Sequence, residues 1–291
     1  MILLIIIGIS AVLLGILSSF LAEYCMTGSR QTMKESLQWQ ADHYDLSWYD
    51  SLETEVYKVS SYDGYLLHVQ ILRCPVPSNR FVILSHGYTD TRFGSLKYAK
   101  IYLDAGFNCI IYDLRGHGEN EKAICTYSIR ESRDLHALIE DTRQRYGQDI
   151  TIGLHGESLG AATTAAVLKY NQDLAFCVAD CGFADIINVL KVGLRQMHLP
   201  GWLVHPASLA ARVRYGYSFG EMRPIDSLAG NSVPILFIHG ERDDFIVPEN
   251  SKRMCREAKG SLVLIPDAGH AESVLVHPRM YEEKILRFLA Q

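Results

Sequence analysis

Three side chains in this sequence have the types and the order needed to build an activated oxygen nucleophile. Ser158 stands at the centre of Gly156-Glu157-Ser158-Leu159-Gly160, between the apolar run Ile150–Leu154 and an alanine-rich, helix-length segment at 159–170. A serine hydroxyl is a weak nucleophile until a base takes its proton, and that base needs an acid to fix its tautomer. Asp243 and His270 follow later, each just after another apolar run. Glycines on both sides of the serine indicate a turn too tight for side chains, the strained strand-to-helix elbow that projects a nucleophile into a cleft. The set suits attack on an acyl carbon, with serine forming the bond, histidine moving the proton and aspartate orienting the imidazole.

Other residues compete for these roles. Asp244 adjoins Asp243 and takes its place if the loop slips by one residue, and Asp180 also ends an apolar run. His277 precedes a proline seven residues beyond His270 and reads as a surface or packing residue. His86, His117, His155 and His239 sit beside glycines at the ends of apolar runs and read as structural hydrogen-bonders, while Asp113 and Arg115 read as braces of their loop.

The positions follow from the elements between them. Thr54–Ser60 and Tyr65–Leu72 flank Asp63-Gly64 and predict an antiparallel hairpin. Short apolar runs then recur at Phe81–Ser85, Phe107–Tyr112, Ile150–Leu154, Ala175–Ala179, Ile235–Ile238 and Leu262–Ile265, their continuous hydrophobicity suiting strands covered on both faces. Helix-length segments lie near 95–105, 129–146, 159–170, 249–258 and 279–290. The pattern predicts an α/β fold with a mostly parallel central sheet and helices on both faces. In such sheets the active groups gather at the carboxyl ends of the strands, where Ser158, Asp243 and His270 all fall.

The motifs together resemble the α/β-hydrolase superfamily, nearest its serine-aminopeptidase and monoacylglycerol-lipase-like branch. The resemblance rests on His86-Gly87, Asp113-Leu114-Arg115-Gly116-His117-Gly118, the serine motif, His239-Gly240-Glu241-Arg242-Asp243 and Ala268-Gly269-His270, and it covers residues 51–291. Bacterial members with an N-terminal membrane segment are similar in layout. The resemblance implies a Ser158–His270–Asp243 triad, Asp243 standing three after Gly240 as in the family. It implies oxyanion donors in the backbone N–H groups of Tyr88 and Leu159, and no cofactor. It leaves open whether the substrate is an ester, a thioester or an amide. The family also carries a cap at the position of residues 183–225, which read here as two or three short helices rich in Leu, Val, Tyr and Trp202, an apolar lid over Ser158.

From Ile2 to Ala22 no residue is charged and most are Ile, Leu or Val. As a helix this stretch spans about 30 Å, the hydrocarbon thickness of a bilayer. No basic residue precedes it, and Ala22-Glu23-Tyr24 is a poor cleavage site, so residues 1–23 read as a transmembrane anchor rather than a cleaved signal. Arg30 and Lys34 are offset by Glu23 and Glu35, which leaves the orientation open, the extracytoplasmic side being slightly favoured. Residues 24–50 read as a linker with a short helix opened by a Thr32–Glu35 capping box, and a catalytic domain beginning near residue 28 is expected to work alone.

Composition narrows the partners. The 291 residues carry a formal net charge of −5, which offers no basic face to nucleic acid. Seven cysteines form no metal-binding spacing, and Cys109 and Cys177 fall within buried strands. The expected partners are a small-molecule or lipid-like acyl substrate and a membrane through residues 2–22. Three functions follow: an ester hydrolase of carboxylesterase or lipase type; a serine peptidase, for which Glu221 in the cap is the acid that would hold a free amine; and a non-catalytic ligand-binding protein.

Overall fold

A computed structural model describes residues 1–171 and 173–291. The chain opens with α1 (Ile2–Thr27) and α2 (Met33–His43). Thr32 caps α2 as its sequence predicts, with its hydroxyl accepting from Glu35 N–H (3.2 Å) and the Glu35 carboxylate accepting from Thr32 N–H (2.8 Å). Strands β1 (Thr54–Ser60) and β2 (Leu66–Leu72) form the hairpin, turning at Gly64, whose φ of 81° is open to glycine. The alternating part follows: β3 (Arg80–Ser85), α3 (Leu96–Asp104), β4 (Asn108–Tyr112), α4 (Ile129–Tyr146), β5 (Thr151–Glu157), α5 (Leu159–Val167) and β6 (Phe176–Asp180). Two cap helices, α6 (Ile186–Gln196) and α7 (Val204–Tyr215), precede β7 (Ile235–Gly240), α8 (Glu249–Ala258), β8 (Ser261–Ile265), α9 (Ser273–Val276) and α10 (Pro278–Leu289).

The eight strands lie in the order β1-β2-β4-β3-β5-β6-β7-β8. β2 is antiparallel to β1 and to β4, and every other neighbouring pair is parallel. Successive residues of β3 show why its run is apolar throughout: Phe81 and Ile83 join the core on one face of the sheet, Val82 and Leu84 the core on the other. The first core also takes α4, α5 and the cap, and the second takes α3 and α10. Two strands run further than their hydrophobicity suggests, β5 to Glu157 and β7 to Gly240. The ladder pairs backbone with backbone, so His155, Gly156 and His239 extend it while interrupting the apolar pattern.

The N-terminal boundary differs from the reading that ended the anchor at residue 23. α1 continues without a break to Thr27, and its two halves have different surroundings. Residues 1–16 are exposed, whereas Ser18, Leu21, Ala22 and Met26 are buried on one side of the helix, which packs against α7. The spacing of three to four between these residues is that of a single helical face.

Candidate active site

Ser158 is the single residue between β5 and α5, held at φ 55° and ψ −111°. Its N–H donates to Asp180 C=O (2.9 Å), which fixes the turn to the neighbouring strand. A side chain at Gly156 would strike the backbone of Gly160, and one at Gly160 would strike the backbone of Ser85 and His86. The two glycines are therefore demanded by close backbone approach, and the strain is carried by the serine.

The loops after β7 and β8 bring the other two residues to it. His270 Nε2 lies 3.0 Å from Ser158 Oγ, and His270 Nδ1 lies 2.7 Å from Asp243 Oδ2. Asp243 is buried, its Oδ1 accepting from Phe245 N–H (3.1 Å) and Ile246 N–H (2.8 Å). Burial alone would raise its pKa, but hydrogen bonds from His239 and His270 outweigh this and hold it down at about 2. The ionised carboxylate accepts a hydrogen bond from His270 Nδ1–H, which leaves Nε2 free to accept from the serine. Phe245 packs edge-on against the His270 ring at 5.3 Å.

The rivals lie elsewhere. Asp244 is exposed. Asp180 is fully buried beneath the elbow, where Tyr281 donates to it at 2.9 Å. His277 caps the start of α10, and His155 is a core residue between Tyr102 and Tyr281. His239 bears directly on the acid, its Nε2 lying 3.1 Å from Asp243 Oδ2 and 2.6 Å from Ile246 C=O, while Ser251 Oγ lies 2.7 Å from Nδ1.

No hydrogen bond among the described residues engages the N–H groups of Leu159 or Tyr88, and both residues line the same cavity as Ser158. Two histidines set the loop that carries Tyr88. Leu114 N–H donates to His86 Nε2 (2.9 Å), so His86 Nδ1–H donates to Gly87 C=O (2.7 Å), and His117 Nε2 meets Tyr88 C=O. Burial lowers the pKa of both imidazoles. With both carbonyls tied back, the Tyr88 peptide is fixed. Sequence proximity to glycine marked these histidines as structural, but not what they hold.

Two further features had no local signal. Glu157, the residue before Ser158, forms a buried ion pair with Lys97 of α3 at 2.5 Å. The cavity of about 550 Å³ beside Ser158 and His270 is walled on one side by α6, through Ile186, Val189 and Leu190, and on the other by Leu21, Tyr24 and Cys25 of α1. Trp202, expected in the lid, is 56% exposed and does not line the cavity. Cys25 C=O accepts from the hydroxyls of Tyr88 (3.0 Å) and Tyr127 (2.5 Å), and Met26 C=O accepts from Cys125 N–H (2.8 Å).

These contacts weigh against the expectation of an independent domain from residue 28. Such a chain loses a cavity wall, and Leu21 and Met26 alone represent about 1.5–3 kcal/mol of burial each. A chain starting at residue 28 should melt markedly lower than one starting at residue 16 and turn over a short ester at least about tenfold more slowly, since wall and Tyr88 loop fall together. Equal Tm and equal kcat in the two would refute it.

Asp180 gives the site's surroundings a pH dependence. Burial first, and then the nearby Glu157, raise its pKa from 3.8 to about 6. An aspartate that binds its proton more tightly when folded loses stability as pH rises from about 4 to 6. Between pH 5 and pH 8 the loss is about 1.4 kcal/mol, one pK unit. Asp180→Asn removes this slope, so its Tm relative to the wild type should be higher at pH 8 than at pH 5. Parallel Tm values across that range would overturn the assignment.

The sheet order, the elbow and the loops that follow β7 and β8 define an α/β-hydrolase. Comparison with known proteins agrees. The model of the alpha/beta hydrolase family matches residues 82–283, and the chain belongs to that family. It is similar to the uncharacterized protein YqkD of Bacillus subtilis, with 30% identity over 250 residues covering 83% of this chain and 81% of that one. It is also similar to the alpha/beta hydrolase domain-containing protein 17C of Xenopus tropicalis, with 25% identity over 89% of this chain and 75% of the relative. Among solved structures, the Pyrococcus furiosus esterase Pf2001 superposes with a TM-score of 0.70 at 23% identity, covering 82% of this chain and 91% of the esterase.

Proposed function

We propose that this protein is a membrane-anchored serine hydrolase that cleaves acyl esters through an acyl-enzyme on Ser158. The observation that carries the reading is the unbroken line from Ser158 Oγ to His270 (3.0 Å) and on to a buried, ionised Asp243 (2.7 Å). His270 Nε2 takes the serine proton as Oγ bonds to the acyl carbon. The same proton then passes to the leaving alcohol as the carbon–oxygen ester bond breaks. Water repeats the sequence, giving one proton to His270 and its oxygen to the acyl carbon, and the released acid restores Ser158. The N–H groups of Leu159 and Tyr88 stabilise the oxyanion, each worth about 3 kcal/mol of transition-state binding.

Ester cleavage is favoured over peptide cleavage by the cap. Glu221, the cap acid expected to hold a free amine, pairs with Arg212 at 2.6 Å and is absent from the cavity lining, and the two carboxylates that do line it are engaged, Glu157 by Lys97 and Asp90 by the Ser36 hydroxyl. A panel of p-nitrophenyl esters and aminoacyl amides tests it: esters should turn over and amides should not, and the reverse order would replace this reading with a peptidase. A chain that labels with no fluorophosphonate and cleaves neither class would be a binding protein.

The anchor is α1, whose most apolar 18-residue window has a mean hydropathy of 2.7. An anchored chain stays with membranes through high-salt and carbonate washes. A mature N-terminus beyond residue 22 would make the segment a signal.

A further inference from the structure

α1 does not have enough free length to cross a bilayer by itself. Residues 2–16 are exposed, which as helix amounts to about 22 Å, against about 30 Å of hydrocarbon. The missing length, about 8 Å or about five residues, falls on the turns that carry Ser18 and Leu21 and pack against α7. Filling the hydrocarbon therefore draws the cap down to the membrane surface. The outer side of the cap is built for that position. Leu209 and Val213, one turn apart on α7, are 67% and 81% exposed, and Trp202 and Tyr24 offer exposed aromatic rings of the kind enriched at membrane interfaces. An interfacial helix sinks about 5–10 Å, which matches the shortfall.

The mouth of the cavity lies in the same place. Tyr24 of α1 and Met197 at the end of α6 are both exposed and both line the cavity, so it opens between the anchor and the cap. Behind them Leu21 and Leu190 lead inward to Ser158. We infer that α1 is at once anchor and substrate-pocket wall, that the outer face of α7 lies in the bilayer interface, and that the cavity takes the acyl chain of a membrane lipid ester sideways from the bilayer. The inference rests on the ester-hydrolase reading above and adds to it the substrate's class and route.

The test uses the full chain in phosphatidylcholine vesicles, with two readouts. Doxyl-labelled lipid should quench tryptophan fluorescence, and Trp202→Phe should remove the part quenched by shallow labels. In the second readout, Leu209→Glu with Val213→Glu should slow hydrolysis of a p-nitrophenyl palmitate carried in the vesicles by at least about tenfold, because charge is expelled from the interface. Neither residue lines the cavity, so soluble p-nitrophenyl acetate should be cleaved at the wild-type rate. Equal loss on both substrates, or no loss on either, overturns the inference. An unquenched Trp202 in a chain that elutes as a dimer would also overturn it, by assigning the α7 face to a second copy. A quenched Trp202 in a chain that cleaves neither ester would support the placement of the cap and refute the ester-hydrolase reading.

Discussion

Ser158→Ala should abolish fluorophosphonate labelling and lower kcat on a p-nitrophenyl ester by about 10⁶-fold, the scale at which a covalent triad loses its function as a unit. In the proposed mechanism the serine Oγ is the atom that bonds to the acyl carbon, and it is the hydroxyl that meets His270 Nε2, at 3.0 Å. The fold should be barely affected. The substitution keeps the backbone of the elbow and its bond to Asp180 C=O, and removes one hydrogen bond to His270, worth about 1 kcal/mol. The measurement pairs probe labelling with thermal unfolding of the same sample. Persistent labelling would place the nucleophile elsewhere, and a collapse in Tm would mean that lost activity says nothing about chemistry.

Asp243→Asn should cost about 10⁴-fold in kcat, with the protein still folded. The Oδ2 position receives N–H from two imidazoles, His270 at 2.7 Å and His239 at 3.1 Å. An amide NH₂ there presents a donor to both. His270 can relieve the conflict only by turning its unprotonated nitrogen towards that NH₂ and its proton towards the serine, the tautomer that cannot act as base. Asp244→Asn, on the exposed neighbour, should leave kcat within about twofold, as surface changes usually do. The kinetic constants of the two variants decide the register of the loop after β7, and reversed effects would move the acid to Asp244.

The parts of the fold that could be read from the chain are those whose signal is local. The apolar centres of the strands, the Thr32 cap and the elbow each depend on a few adjacent residues, and the order Ser158, Asp243, His270 follows the succession of apolar runs. The Lys97–Glu157 pair joins residues sixty positions apart, and nothing near either one names the other. The role of α1 was hidden for a different reason. A helical face is recognised by contrast between apolar and polar positions, and residues 2–22 offer none. Leu21 against the cap and Leu13 in the open are the same residue in the same kind of neighbourhood, so only packing distinguishes a pocket wall from a membrane span.

The unbroken passage of α1 from exposed rod to cavity wall gives the helix a phase that one half can lose and the other cannot. Each inserted residue rotates everything on its far side by about 100°. Placed before Ile16, an extra residue turns only the free apolar rod, where every direction presents a similar surface. Placed between Ala22 and Cys25, it shifts Leu21 relative to Cys25 and breaks the row that faces α6 and α7. The N-terminal segment therefore contains an internal border, near Leu17, between a stretch that any apolar helix of similar length can replace and a stretch whose angular setting belongs to the wall of the cavity beside Ser158.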